Sequence, residues 1–261
     1  MEKQLETVSA AITASATEFF RREGTQRRYL VGITGRPGSG KSTVSRRLCQ
    51  LINQNYSRAQ QLAEGPPPPP ADALAGSHQN HEISIVVSLD GWHYPRSVLD
   101  QFPDPEEAHR RRGAPETFDA AGYGAFVAAL AMGTAGVLLA PEFSHAAKDP
   151  VADAIAVLPH HHLVILEGLY TLLQDGPHWA AASAHIHIPI LVHALPDTAK
   201  NRLVNRHVQA GISPSPHLAA HRVDSNDHPN GEYLLKHSRS PLMVITSIDD
   251  PSLRTVTDQV P

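Results

Sequence analysis

Cysteine is nearly absent: Cys49 is the sole one in 261 residues. That excludes an internal disulfide and a zinc site built on several thiolates. Its place after a glycine-rich loop reads as a buried, inert thiol. Long apolar runs are also missing, and no stretch approaches the ~20 residues of a membrane-spanning helix. The first residues lack the basic patch and apolar core of a secretory signal. Glu2, Glu6 and Glu18 do not suit a mitochondrial transit peptide, which is poor in acids. Neither charge sign dominates. With 22 Lys and Arg against 26 Asp and Glu, the formal net charge is -4, so there is no general pull toward nucleic acid or an anionic membrane. These absences predict a cytoplasmic protein with no nucleic-acid and no membrane partner.

The most informative segment present is Gly35-Arg36-Pro37-Gly38-Ser39-Gly40-Lys41-Ser42-Thr43. Gly35, Gly40, Lys41 and Ser42 have the spacing of a phosphate-binding P-loop. Glycines let the backbone turn tightly and aim its N–H groups at phosphate oxygens. Lys41 adds a point positive charge, and the Ser42 hydroxyl is suited to Mg²⁺. Tyr29–Thr34 before the loop reads as a buried strand, and the residues from Ser42 onward as a helix. This context predicts a bound nucleoside triphosphate.

Hydrophobic residues make up 41% and charged residues 18% of the chain, ordinary values for a globular protein. The length suits a single domain over 1–261. Apolar positions Leu5, Val8, Ile12, Phe19 and Phe20 predict an amphipathic helix ahead of the first strand. After the loop, Val44, Leu48, Leu51 and Ile52 form one helical face. From 53 to 82 the pattern collapses around five consecutive prolines at 66–70, which reads as a mobile surface insert rather than a polyproline ligand. Further buried strands are predicted at 83–89, 163–167, within 185–192, and at 242–246. Helices are expected at 117–132, 197–210 and 216–223. Strands alternating with helices predict an α/β fold, a five-stranded parallel sheet covered by helices on both faces.

Ligands bind such sheets at the carboxyl ends of the strands, and Asp90 and Glu167 both stand at such ends. Phosphoryl transfer is mainly positioning and charge neutralisation. It needs a carboxylate for the acceptor hydroxyl, another for Mg²⁺, and Arg or Lys for the moving charge. Asp90 is the candidate base, with Gly91 giving the chain room to turn away; an Asp-Gly turn is the alternative. Glu167 is the candidate metal carboxylate, and a structural glutamate is its alternative. Arg202 and Arg206 share a helix face that either closes over phosphates or is simply solvated. His160, His161 and His162 read as a polar surface turn rather than a metal site. Arg110, Arg111 and Arg112 either meet an anionic group or form a solvated charge run, the latter being the default reading.

The ordered series of motifs resembles the uridine kinase, phosphoribulokinase and pantothenate kinase superfamily. It comprises Gly32 to Thr43, Ser-Leu-Asp-Gly-Trp-His-Tyr-Pro at 88–95, and Arg-Arg-Gly-Ala-Pro-Glu-Thr-Phe-Asp at 111–119. Ala-Pro-Glu-Phe-Ser-His-Ala-Ala-Lys-Asp-Pro at 140–150 and Val-Ile-Leu-Glu-Gly-Leu-Tyr at 164–170 follow. Arg-His-Val-Gln-Ala-Gly at 206–211 and Arg-Val-Asp-Ser-Asn-Asp-His-Pro-Asn-Gly at 222–231 complete it. The similarity is greatest to bacterial and fungal uridine-kinase-like proteins of unsettled substrate. It implies a three-layer P-loop NTPase fold with a small helical lid. The implied activity is ATP- and Mg²⁺-dependent phosphorylation of a hydroxyl on a small metabolite of nucleoside, pantothenate-like or sugar type. The alternative is a nucleotide-binding interaction protein with little turnover. A homodimer is left open.

By the same resemblance Asp90 is the catalytic base, acting with Lys41 and Arg206. Glu167 lies near the metal with Ser42, and Arg202 and Arg206 grip phosphates. His93, Tyr94, Arg96 and His145 face the acceptor. Phe143 stands where pantothenate kinases carry Tyr, and the missing hydroxyl argues against pantothenate itself. Trp92 in place of Phe is a packing change. Arg222, Asn226 and Asn230 sit in a motif typical of the group, without assigned roles.

Overall fold

The computed structural model describes residues 1–64 and 82–249. Its strands are β1 (Tyr29–Thr34), β2 (Ser84–Ser88), β3 (Leu138–Ser144), β4 (Asp149–Val157), β5 (Leu163–Glu167), β6 (Ile188–His193) and β7 (Met243–Thr246). The helices before β3 are α1 (Glu2–Glu23), α2 (Lys41–Glu64), α3 (Arg96–Leu99), α4 (Pro105–Arg110) and α5 (Ala120–Met132). After β5 come α6 (Pro177–Ala184), α7 (Pro196–Gln209), α8 (Pro216–Arg222) and α9 (His228–His237).

The Val-, Ile- and Leu-rich strands pair in parallel in the order β2-β5-β1-β6-β7, the five-stranded sheet expected from the sequence. Successive side chains of a strand point to opposite faces, which builds two cores. Val31, Ile33, Leu163 and Ile165 pack with Leu5, Ile12, Leu48 and Ile52 from α1 and α2. Leu30, Val164 and Leu166 pack with Tyr123, Val127, Trp179 and Leu234 from α5, α6 and α9. Burying each such aliphatic side chain contributes ~1.5–3 kcal/mol. Strands held from both sides have little freedom to shift, so their carboxyl ends are fixed platforms. No described helix is long and apolar enough to cross a membrane.

Three features depart from the sequence reading. First, α2 continues to Glu64, so residues 53–64 are helix rather than insert, while 66–70 lie outside the described residues. The polar stretch hid the helix because Arg, Ala, Gln, Leu and Glu favour helix without marking an apolar face. Asn53 also belongs to the fold. Its Oδ1 accepts from the Ser84 N–H at 2.9 Å and the Ser84 hydroxyl at 2.8 Å, and its Nδ2 donates to the Ser84 carbonyl at 3.3 Å.

Second, β3 and β4 form a separate antiparallel hairpin that periodicity did not show. Ala, Pro and Asp dilute its strand signal. Its ladder shifts register between Ala140 and Glu142, so Pro141 falls where a missing N–H does no harm. Third, His160, His161 and His162 do form a turn, placed just before β5 and away from the strand's carboxyl end. His161, however, is buried. Its Nδ1 accepts from the Leu158 N–H at 3.0 Å, and burial together with nearby His160 and Arg28 holds its pKa down to about 4.

Asn53→Ala would leave the buried Ser84 amide and hydroxyl without their shared acceptor. We expect a loss of about 1–3 kcal/mol, read as a lower urea midpoint at unchanged slope. An unmoved midpoint would show that the second half of α2 does not anchor the sheet.

Candidate active site

The loop between β1 and α2 turns on Gly38 and Gly40, whose φ values of 77° and 87° suit glycine. Gly38 also meets α7 closely, since a Cβ there would lie 2.4 Å from the Ala199 carbonyl oxygen. Lys41 opens α2 and folds back over the loop. Its Nζ donates to the Gly35 carbonyl at 2.9 Å and the Arg36 carbonyl at 3.1 Å. These are the bonds a phosphate would replace. Thr43 lies in the first turn of α2, and Ser39 is buried within the loop.

Beside the loop, β5 ends at Glu167, in register with Ile33 of β1 and Ser88 of β2. Glu167 is only 5% exposed, and its carboxylate Oε1 accepts from the Ser42 hydroxyl at 3.2 Å. Burial pushes its pKa up and the charge of Asp90 adds to this, against Lys41, Ser88 and Ser42. Desolvation pulls the Lys41 ammonium down, with Glu167 and Asp90 opposing. Lys41, Glu167 and Asp90 therefore share one electrostatic site.

Asp90 follows β2 on a tight helical turn, Leu89–Trp92, and its N–H donates to the Ser88 hydroxyl at 3.3 Å. Gly91 has a reason different from the one expected. A Cβ there would lie 2.1 Å from the Pro141 carbonyl oxygen, so glycine is required by the close approach of β3, not by a turning chain. His93 Nδ1 lies 2.8 Å from the Asp90 carbonyl oxygen. Because a carbonyl can only accept, that nitrogen carries the proton. Burial holds the His93 imidazole below its usual pKa, with Asp90 opposing.

The hairpin roofs this turn. Phe143 lies 5.3 Å from the His93 ring and 5.5 Å from that of the exposed His145. Phe118 completes the group, 4.0 Å from the His93 ring. Arg96 is drawn to the hairpin turn, where its Nε donates to Asp149 at 3.3 Å and its Nη2 to the Ala147 carbonyl at 3.1 Å. The Tyr94 ring packs edge-on against Phe102, 5.9 Å away. Arg112 is no solvated charge. It pairs with Asp149 at 2.7 Å with its side chain 14% exposed. Arg110, by contrast, is an exposed pair with Glu107 on α4.

On the far side of the loop, Arg202 donates to the Gly38 carbonyl at 3.3 Å and the Ser247 hydroxyl at 3.0 Å. Arg206, one turn later, is exposed, and its charge is felt at Lys41. A cleft of about 220 Å³ lies outside the loop between Arg36, Lys200, Leu203, Asp227 and Gly231. Neither Asp90 nor Glu167 lines it, so it flanks the reacting groups instead of enclosing them.

The structure thus gathers the loop, Asp90, Glu167 and Arg202 at one sheet end, with His93 beneath the hairpin that carries Phe143 and His145. Tyr94 and Arg96 are turned to structural partners. Sequence reasoning did not find what Arg112 and Asp149 do, and it named Asn226 without a role. The signal for the first two was a basic run and an Asp-Pro corner, 37 residues apart, whose contact requires the hairpin. Among the described residues no cluster of three or more His, Cys, Asp or Glu is placed for a metal. Mg²⁺ fits nonetheless, because it commonly takes one or two carboxylates and completes its shell with phosphate and water. The buried Glu167 carboxylate, with Ser42 bonded to it and Asp90 nearby, supplies such hard oxygen donors.

No protein-family profile matches the chain. A Schizosaccharomyces pombe protein named "Putative uridine kinase C227.14" is 33% identical over 230 residues, covering 88% of each chain. The Aspergillus versicolor "ATP-dependent kinase-like protein notR'" is 40% identical over 152 residues, 57% of this chain and 88% of that one. Among solved structures, a "putative fructose transport system kinase" from Silicibacter sp. TM1040 has a TM-score of 0.67 at 27% identity. It is matched over 98% of its length and 89% of this chain.

Because the pKa of Glu167 is raised on folding, its contribution to stability is fully present below the ordinary glutamate range and is lost as pH rises through the folded value. Glu167→Gln cannot ionise. It should raise Tm at pH 8 and leave Tm nearly unchanged at pH 4. An equal Tm at pH 8 would show that the carboxylate is not held against its burial.

Proposed function

Since the chain belongs to the P-loop kinases related to uridine kinase, we propose that it transfers the γ-phosphate of ATP to a hydroxyl of a small metabolite. The observation that carries this reading is the convergence of Lys41, Ser42, Glu167 and Asp90 at one sheet end, with a separate hairpin covering Asp90. A triphosphate on the loop would meet backbone N–H groups of residues 38–43 and the Lys41 ammonium, which leaves the Gly35 and Arg36 carbonyls to reach it. Arg202, already at Gly38, stands beside the same phosphates. Ser42 and Glu167 would hold Mg²⁺, which supplies charge neutralisation between the phosphates when bound.

Asp90 is then the carboxylate left to orient the acceptor and take its proton. The acceptor oxygen forms a bond to the γ-phosphorus as the bond to the bridging oxygen breaks, and ADP leaves. Water competes poorly once the acceptor hydroxyl is seated against Asp90. Chemistry and the relatives' names support a reading of the acceptor class. Uridine and fructose appear in those names, and Phe143 offers an aromatic face without a hydroxyl. A nucleoside or a sugar derivative is therefore favoured over pantothenate itself.

Asp90→Asn should keep ATP affinity and lower phosphoryl transfer by at least ~10²-fold, followed as ADP release with acceptor present. Full activity would remove Asp90 from this role. Lys41→Ala should weaken ATP binding, measured with a fluorescent ATP analogue, and unchanged affinity would contradict the phosphate-loop reading. Incubation with ATP, Mg²⁺ and a panel of nucleosides, sugars and pantothenate identifies the acceptor. Bound ATP with transfer to none of them would favour a binding protein.

A further inference from the structure

We propose that Arg112 is the positioning residue that clamps the β3–β4 hairpin over Asp90, and that Asn226 ties this clamp to the helices beside the phosphate loop. What the hairpin covers rests on the kinase reading; the clamp itself does not. Arg112 joins segments that are distant in the chain. Its Nη2 donates to the Tyr94 carbonyl at 2.8 Å, just beyond the Asp90 turn, and to Asp149 Oδ1 at 2.7 Å. Its Nη1 donates to the Lys148 carbonyl at 2.7 Å. The guanidinium carbon stands 5.4 Å from the centre of the Phe143 ring.

Phe143 and Asp149 lie on opposite arms of the hairpin turn, where Phe143 faces Pro150 and Ser144 faces Asp149. One planar cation therefore grips both arms and the Asp90 segment together. A lysine could not, having no fork of donors fixed in one plane. Asp149 is shared with the Arg96 N–H at 3.0 Å. Burial tends to raise its pKa, but the bonds from Arg112 and Arg96 outweigh this and hold the carboxyl below its usual range. The Nε of Arg112 is buried and unpartnered. Packing alone would favour an apolar side chain over a cation with an unmade hydrogen bond.

The main chain of Arg112 is held as well. Asn226, 2% exposed, donates from Nδ2 to the Arg112 carbonyl at 3.1 Å. Asn226 sits in a wide π-helical turn, Val223–Asp227, between α8 and α9, a form that recurs at functional positions. Asn230 donates to Asn226 at 3.4 Å, and Gly231 beside it packs on Arg36 of the phosphate loop. The 111–119 and 222–231 motifs are thus two halves of one device that joins the acceptor side to the phosphate side.

The test uses the full chain with Arg112→Met, Arg112→Lys, Asp149→Asn and the Met/Asn double variant. Hydrogen exchange of the amides at 138–157 should rise at least ~10-fold in each single variant. Exchange in β1 and affinity for a fluorescent ATP analogue should stay within about twofold. The double variant should add little to either single one. With the acceptor that the wild type phosphorylates, Arg112→Met should raise KM for acceptor more than KM for ATP, and Arg112→Lys should not restore it. Unchanged hairpin exchange, additive effects, or an equal rise in both KM values would overturn the clamp. If Arg112→Met fails to fold, Asp149→Asn gives the same exchange readout. A wild type that binds the analogue yet phosphorylates nothing defeats the kinase reading, while exchange still decides the clamp.

Discussion

A carboxylate buried beside a second carboxylate is unfavourable until positive charge arrives, and the sheet keeps Glu167 in that condition. It cannot drift toward solvent, because Ile165 and Leu166 just before it are locked into opposite cores. Its neighbours in register, Ile33 and Ser88, belong to strands pinned in the same way. Relief comes from the Lys41 ammonium and from the Ser88 and Ser42 hydroxyls. Lys41 meanwhile rests on carbonyl oxygens of its own loop. The apolar packing of both faces thus keeps the charges in place before any substrate arrives, and preorganised charge is the largest contribution an enzyme of this kind makes.

How far this could be read in the sequence depended on whether a signal was local. The phosphate loop, the strand carrying Glu167 and the position of Asp90 announce themselves within a few residues, because glycine spacing and apolar runs report backbone geometry directly. The five strands and both cores follow from the same runs, while the strand order comes only with the fold. The hairpin did not announce itself: its residues alternate weakly, and one of its faces is largely open. Arg112 was hidden for a deeper reason. Its role depends on Asp149, Phe143 and Asn226, which only folding brings near. The second half of α2 was lost because helix propensity without an apolar stripe resembles a loop.

Gly91 shows how closely the two parts of the site are fitted. The Asp90 turn touches β3 at backbone distance, where no side chain can intervene. The separation of the Asp90 turn and the hairpin above it is therefore set by main chain rather than by side chains.

The length of α2 has a consequence of another kind. Its 24 residues span about 36 Å at 1.5 Å per residue, leading away from Lys41. Asn53, halfway along it, already meets the start of β2 at Ser84. The first half of the helix therefore bridges the two rims of the sheet, from the phosphate loop to the edge where β2 begins. A reporter attached where Asn53 meets Ser84 would stand a strand's length away from Lys41.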